Sequence, residues 1–412
     1  MALLADEILA NTLSEIALRD PTFLGRQPIG FRPVDALAEQ YRANPLFAGF
    51  TAAHIETRLA TGLAKAQDLG VRRSPDPAAH HRLASVISDT VMDAMAAEAG
   101  LIGLGAPSGV APPVERVLAT DYAAKSIGSD LNYLVRQKGE RWLLVINALG
   151  IPLGVWSRLL ADAGHDYRVL MVESAGSHLV DGGMRADADL ASDVERIVRV
   201  LDAEAVDSVD VIGWCSGGRV AVQLAAEQSH RVSALILTST TFRGAEGCDV
   251  GPTQFEEDIG GIFDSVSRSP ETAGFLSELL VNSSKLTQPA VEDAILFRQP
   301  AQAHAAALAA PLTNGEDLKR YCRRIASDKT HFTGVALSRV QAPILAIAGS
   351  HDHVVSNAHT WGTLGAHARR LSSAVISGAG HYAYDLQYPY FRMLLDAFTQ
   401  GRPFAGARIG SL

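Results

Sequence analysis

A stretch between Ser208 and Ser229 constrains the fold more than any other part of the chain, because it joins a strand pattern directly to a helix pattern. The run "SVDVIGW" is typical of a buried strand, and "GGRVAVQLAAEQS" has the apolar spacing of a helix. The two residues "CS" separate these patterns. A strand that turns so abruptly into a helix is typical of a sheet whose faces are covered by helices.

The same alternation of strand and helix patterns continues on both sides of this unit. Short apolar runs such as "YRVLMVES", "VSALILTST" and "APILAIAGS" are separated by amphipathic runs such as "DADLASDVERIVRVLDAEAV". Continuous apolar strands of this kind indicate an α/β fold with a mostly parallel sheet and helices on both faces. The runs "LNYLVRQKGE" and "RWLLVINALG" are predicted to be two strands joined by a turn at Lys138–Glu140.

Changes in pattern divide the chain into three regions. Residues 1–125 contain helix patterns punctuated by prolines and are predicted to form a helical N-terminal region. Residues 126–243 and 339–412 show the strand–helix alternation and are predicted to form one α/β core. Residues 244–338 have helical and polar character instead. We expect this insertion to form a helical cap, or lid, over the carboxyl ends of the strands, where such sheets bind ligands.

Composition and charge exclude several classes of function. The chain has 412 residues, a formal net charge of -9 and no long basic run, so nucleic acid is not an expected partner. Its three cysteines make no disulfide framework, which fits a reducing cytoplasm. We expect no membrane partner, because the N-terminus has no basic leader and no apolar run is long enough to span a bilayer.

Metal and cofactor sites are not expected either. The spacing of His351 and His353 around Asp352 is too sparse for a metal site, and no cysteine lies nearby. The glycine-rich run "GLGAPSG" lacks the Lys-Ser/Thr pair of a phosphate-binding loop. The sequence leaves the oligomeric state open.

The turn "GWCSGG" is the motif with the clearest chemistry. A residue placed between strand and helix, with a glycine two positions away on each side, is strained and projects from the sheet edge. Cys215 occupies that position, so we predict that it is the nucleophile. Ser216 is out of frame, and its backbone N–H is predicted to donate to an oxyanion instead. The alternative is that Cys215 is a small buried core residue.

Two further residues fit a nucleophile at this edge of the sheet. His381 lies in the loop after the last predicted strand, where a histidine would act as the base. Asp352 follows the preceding strand and is predicted to hold the histidine in the required tautomer, with a turn or helix-capping role as its alternative. An acid after the earlier strand is a second alternative, for which Glu246 and Asp249 are the nearest candidates.

The remaining site residues are predicted from position alone. The backbone N–H of Leu149, or of Ala148 beside it, is the candidate for the second oxyanion donor, because it follows the strand "RWLLVIN". Trp214 and Trp156 are candidates to line an apolar acyl pocket, together with phenylalanines of the cap (Phe255, Phe263 and Phe275). Each of these aromatic residues fits the core equally well.

These motifs resemble those of the α/β-hydrolase superfamily over the segment from about Leu131 to Gly401. The resemblance rests on the turn at Gly213–Gly217, on Asp352 and on His381, while Cys215 stands where most members have serine. Members with cysteine there include dienelactone hydrolases, polyhydroxyalkanoate synthases and the Dieckmann cyclases of tetramate and pyridone biosynthesis. The chain looks most similar to the cyclases, although they do not need its helical N-terminal region.

The resemblance implies a Cys–His–Asp triad and the release of an acyl chain by Dieckmann-type cyclisation in polyketide and peptide antibiotic biosynthesis. The substrate would then be an acyl thioester, carried by coenzyme A or by an acyl or peptidyl carrier protein. A thiolate favours this chemistry, because exchange between two thioesters is nearly isoenergetic and leaves the acyl group reactive. Thioester or ester hydrolysis, acyl transfer as in a polyester synthase, and a binding module without catalysis remain as alternatives.

Overall fold

The computed structural model describes residues 113–163, 166–180, 182–185, 189–242, 254–282, 309–331, 334–349, 352, 354–376 and 380–401. The predicted N-terminal helical region up to residue 112 lies outside the described residues. The first strand begins at Ala123, so the core starts slightly before its predicted boundary at residue 126. The difference arises because this edge strand is mostly exposed and lacks the apolar pattern of the buried strands.

The central sheet has eight strands within the described part of the chain. Its strands follow the spatial order β1-β2-β4-β3-β7-β8-β9-β10, and a separate hairpin is formed by β5 and β6. The bounds are β1 Ala123–Ile127, β2 Leu131–Arg136, β3 Arg141–Ile146, β4 Tyr167–Val172, β5 Ser177–His178, β6 Gly182–Met184, β7 Val209–Trp214, β8 Val232–Thr238, β9 Ile344–Gly349 and β10 Leu371–Ile376.

The sheet is parallel from β4 to β10, with two antiparallel strands at one edge. β1 pairs with β2, and β2 pairs with β4, in antiparallel registers such as Tyr133 opposite Val172. The other pairings are parallel. The predicted turn at Lys138–Glu140 does connect two strands, but β4 lies between them, so they form no hairpin.

Helices cover both faces of the sheet. Their bounds are α1 Val114–Asp121, α2 Ser157–Ala161, α3 Leu190–Ala203, α4 Gly217–Glu227, α5 Gln254–Arg268, α6 Ala273–Asn282, α7 Gly315–His331, α8 Gly334–Arg339, α9 Asn357–His367, α10 Ala383–Leu386 and α11 Tyr388–Thr399. Helices α1, α2, α10 and α11 bury apolar side chains against one face of the sheet. On the other face, α4 packs against β7 and β8, with α3 and α8 beside it.

Helices α5, α6 and α7 belong to the predicted cap and share a small apolar core of their own, which includes Phe263 and Leu318. The cap docks on the α/β core through α7. Arg324 on this helix lies 2.5 Å from an Asp193 carboxylate oxygen on α3, and it also contacts Asp328 one turn further along α7, at 2.7 Å. The described parts of the insertion are therefore helical, as the sequence predicts. Among the described residues, no helix combines the length and apolar character needed to cross a membrane.

Candidate active site

The turn between β7 and α4 holds Cys215 in a conformation that side-chain-bearing residues rarely adopt. Its φ angle is 51°, in the left-handed region, so the backbone reverses sharply between strand and helix. The neighbouring glycines make this possible. A Cβ atom at Gly213 would lie 2.7 Å from Gly218 Cα, and one at Gly217 would lie 2.4 Å from the Asn147 carbonyl oxygen. This turn therefore requires glycine on both sides of Cys215.

His381 and Asp352 meet at the same edge of the sheet, after β10 and β9 respectively. His381 Nδ1 lies 3.1 Å from Oδ2 and 3.2 Å from Oδ1 of Asp352, and both side chains are buried. Asp352 Oδ1 also accepts the backbone N–H groups of Val354 and Val355, at 3.0 Å each. These bonds fix the carboxylate, and the carboxylate in turn orients the imidazole so that Nε2 is free for chemistry.

The electrostatics couple the histidine to both of its neighbours. Burial disfavours the imidazolium, but the charge and hydrogen bond of Asp352, with a hydrogen bond to Cys215, outweigh it and raise the pKa of His381 to about 10. Burial likewise opposes ionisation of Asp352, yet His381 and the backbone N–H of Val355 hold the pKa of this carboxyl below its usual value. The three predicted triad residues are therefore brought together. The alternative acids Glu246 and Asp249 lie outside the described residues.

The loop after β3 differs from the prediction in one respect. The Leu149 N–H does not point into open space, because it donates a 2.9 Å hydrogen bond to the Ser216 hydroxyl. The Ala148 N–H donates to the side chain of Asn147 at 2.9 Å. Both candidates for the second oxyanion donor are thus engaged. Sequence position predicts the loop correctly but carries no information on which side chain turns back onto it.

Cys215 opens into a cavity of about 110 Å³ between the sheet edge and the cap. Its apolar wall includes Ile259, Phe263 and Ile325 from the cap and Val354 and Val355 from the core. Polar and charged side chains complete the lining: Ser216, Arg219, Thr241, Glu256, Tyr321 and Asp328. The cavity has the walls expected of an acyl pocket, and it also contains charges.

Comparison with known proteins agrees with this architecture. A family model described as the α/β-hydrolase fold matches residues 141–259. MGS-M2, an α/β-hydrolase enzyme from a Medee basin deep-sea metagenome library, superposes with a TM-score of 0.51 at 15% identity, over 69% of this chain and 98% of that one. A bacterial membrane phospholipase A also reaches 0.51, at 19% identity, over 70% and 88% of the two chains. The chain has the α/β-hydrolase fold.

One curated relative has a higher sequence identity than these two structures, over a shorter part of the chain. A pimeloyl-[acyl-carrier protein] methyl ester esterase of Nitrosospira multiformis is 30% identical over 104 residues. The aligned part is 24% of this chain and 38% of the esterase, so the match spans well under half of the relative. In the α/β-hydrolase fold described here, β7 and α4 form the turn that carries Cys215, and both lie inside the segment that the family model matches.

The aromatic residues require a correction. Trp156 and Trp214 are almost fully buried in the core on the far side of this turn, and neither lines the Cys215 cavity. The ring centroid of Trp214 lies 5.5 Å from that of His381, and Trp156 donates to the Asn147 side chain at 3.0 Å. Trp214 is the last residue of β7, and the alternation of side chains along the strand points it into the core.

The predictions for the cap phenylalanines divide. Phe263 lines the cavity, as predicted. The prediction that Phe275 lines the pocket is wrong, because its side chain is 69% exposed on α6. The side chain of Phe255 lies outside the described residues. Sequence reasoning missed Arg219, in the first turn of α4, and Asp328, on α7, which both line the cavity. The spacing from Cys215 could have indicated Arg219, whereas nothing in the local sequence places Asp328 at the site.

Proposed function

We propose that the protein is a cysteine-dependent acyl-transfer enzyme that cleaves an ester or thioester through an acyl-Cys215 intermediate. The observation that carries the proposal is the strained turn, which presents Cys215 to a buried His381–Asp352 pair. The esterase relative and the family model support the same class of reaction. Hydrolysis of the acyl-enzyme by water is the simplest outcome.

In the first half-reaction, the Cys215 thiolate attacks the substrate carbonyl carbon. His381 lies beside the sulfur and holds the proton that Cys215 gives up as it attacks. The carbonyl oxygen becomes an oxyanion next to the backbone N–H of Ser216, at the start of α4. When the tetrahedral intermediate collapses, the bond to the leaving alcohol or thiol breaks, and His381 supplies the proton that this group takes up.

In the second half-reaction, His381 must accept a proton, and the cause of its raised pKa makes this possible. Two of the effects that raise the pKa of His381 come from Cys215. Acylation converts the sulfur to a neutral thioester and removes the thiolate charge, so the pKa of His381 falls. Neutral His381 then takes a proton from water, the hydroxide attacks the thioester, and the acid and the Cys215 thiol are released.

A second candidate function differs only in the acceptor. In a Dieckmann-type cyclisation, His381 would remove the proton from a carbon between two carbonyls of the acyl chain, and that carbanion would attack the Cys215 thioester. The observation in favour is that apolar cap residues such as Phe263 and Ile325 line the cavity, and a site that excludes water protects an acyl-enzyme from hydrolysis. The thiol favours it further, because a thioester remains electrophilic toward carbon.

Product analysis tests both candidates. The protein should release butyrate from a butyryl thioester of N-acetylcysteamine, a short mimic of the phosphopantetheine arm, and Cys215→Ala should lose this activity. Cys322→Ala removes a buried cysteine of the cap core and should retain most of the activity. With a β-ketoacyl-aminoacyl thioester as substrate, release of the free acid supports hydrolysis. A cyclic product whose mass is one water below that of the free acid supports cyclisation. Equal turnover by the wild type and Cys215→Ala would exclude the covalent route.

A further inference from the structure

The hydroxyl of Ser216 is hydrogen-bonded to the loop that follows β3. The Leu149 N–H, the positional candidate for the second donor, ends on this hydroxyl at 2.9 Å. Ser216 is 7% exposed, and it lines the Cys215 cavity and a second cavity of about 40 Å³ that also borders Leu149. The side chain therefore stands between the Leu149 backbone and the cavity in which an acyl group would bind.

We propose that the Ser216 hydroxyl is a catalytic hydrogen-bond donor to the oxyanion and that the Leu149 N–H acts through it. This inference rests on the proposed acyl-transfer function and identifies a further residue of its site. A hydroxyl that accepts one hydrogen bond keeps its own proton to donate. The accepted bond from Leu149 polarises the O–H and strengthens its donation, because hydrogen bonds in a chain reinforce one another at low dielectric.

The resulting oxyanion site uses two groups of the same residue. The Ser216 N–H and the Ser216 O–H would both donate to the oxyanion as the Cys215 thiolate adds to the carbonyl. The hydroxyl donates a hydrogen bond and transfers no proton. It therefore stabilises the tetrahedral intermediate without changing the stoichiometry of the reaction. In the opposite arrangement, here called the plug, the hydroxyl blocks the oxyanion site in the free enzyme. It turns away when substrate binds, and the Leu149 N–H then donates directly to the oxyanion.

Ser216→Ala separates the two arrangements, because it removes the hydroxyl and keeps the backbone N–H. The probe is 4-nitrophenyl butyrate, and the rate of nitrophenolate release in the first turnover reports acylation of Cys215. Loss of one oxyanion donor lowers rates by about 10²- to 10³-fold in other enzymes. Since the freed Leu149 N–H can compensate in part, we expect a loss of about tenfold or more, and Ser216→Thr, which keeps a hydroxyl, should lose less.

Alkylation of Cys215 by iodoacetamide provides the second readout. This displacement at an sp³ carbon forms no oxyanion, so it depends on the thiolate and His381 but not on the proposed donor. Slow acylation with unchanged alkylation in Ser216→Ala supports the proposal. Unchanged or faster acylation would overturn it in favour of the plug, and an equal loss of both rates would assign Ser216 a structural role. Activity in Cys215→Ala would instead refute the acyl-transfer function itself.

Discussion

The turn at Cys215 and the helical cap contribute to the same cavity, but they are held in place by different physics. Backbone geometry fixes the turn: a Cβ atom at Gly217 would lie 2.4 Å from the Asn147 carbonyl oxygen, and Cys215 has a positive φ angle. Side chains hold the cap, through the Arg324–Asp193 pair at 2.5 Å and an apolar core around Phe263. Under the proposed function, the rigid turn would carry the chemistry and the cap would line the acyl pocket.

The largest effect on activity is expected from a change at Asp352, which contacts His381. Asp352→Asn removes the charge that opposes the effect of burial on His381, so the pKa of His381 should fall from about 10. Less imidazolium then faces Cys215, and we expect the acylation rate at neutral pH to fall by about 10²- to 10⁴-fold. Alkylation of Cys215 should slow as well. Unchanged acylation would show that the acid lies elsewhere.

The contribution of the Asp352–His381 pair to the free energy of unfolding should depend on pH, and Asp352→Asn provides the reference without this pair. The folded-state pKa of His381 lies above its ordinary value of 6.5, and that of Asp352 lies below its ordinary value of 3.8. The pair therefore stabilises the fold fully between these two ordinary values and loses its contribution as the pH rises through about 10. Urea unfolding should show the largest difference between the wild type and Asp352→Asn near pH 5 to 6, and a smaller difference near pH 10.

A somewhat smaller effect is expected at the contact between cap and core. Arg324→Met removes the cation that contacts the buried Asp193 and Asp328 carboxylates, which should cost about 3–5 kcal/mol. Lys319→Met is the matched control on α7, because its pair with the exposed Glu316 should contribute less than about 1 kcal/mol. Urea unfolding of both variants checks this. Equal stability of the two would show that Arg324 does not hold the cap.

Glycine substitutions give the smallest effects and opposite signs in the two regions. Gly217→Ala forces a Cβ atom against backbone and should destabilise the protein by about 2–3 kcal/mol. Gly261→Ala, on α5, meets no atom within 4 Å and should stabilise by about 0.5–1 kcal/mol. Thermal unfolding of the two variants distinguishes the regions. A stable Gly217→Ala protein would contradict the account of the turn.

The residues that sequence reasoning identified are those whose position follows from local pattern. Cys215 lies in a short motif that dictates its own backbone, and Asp352 and His381 each follow a recognisable buried strand. Parallel strands bring their carboxyl ends to one edge, so these residues meet without further information. The helical character of the cap is accessible from local pattern, but the strand order is not, because β4 lies between the consecutive strands β2 and β3.

The errors concern side-chain direction and contacts between distant segments. The sequence leaves Trp214 open between pocket and core, and the structure buries it in the core, into which strand alternation turns it. The hydrogen bond from Leu149 to the Ser216 hydroxyl joins residues 67 positions apart, and the placement of Asp328 depends on how the cap docks. Such contacts depend on tertiary packing, on which a local pattern gives no information.

Cys215, and not Ser216, is proposed to carry the acyl group. Rapid quenching after mixing with 4-nitrophenyl butyrate, followed by peptide mass spectrometry, locates the adduct directly. We predict one butyryl group on Cys215 that neutral hydroxylamine removes, as expected of a thioester, and none in Cys215→Ala. A hydroxylamine-resistant adduct on Ser216, or turnover without any adduct at this turn, would contradict the account.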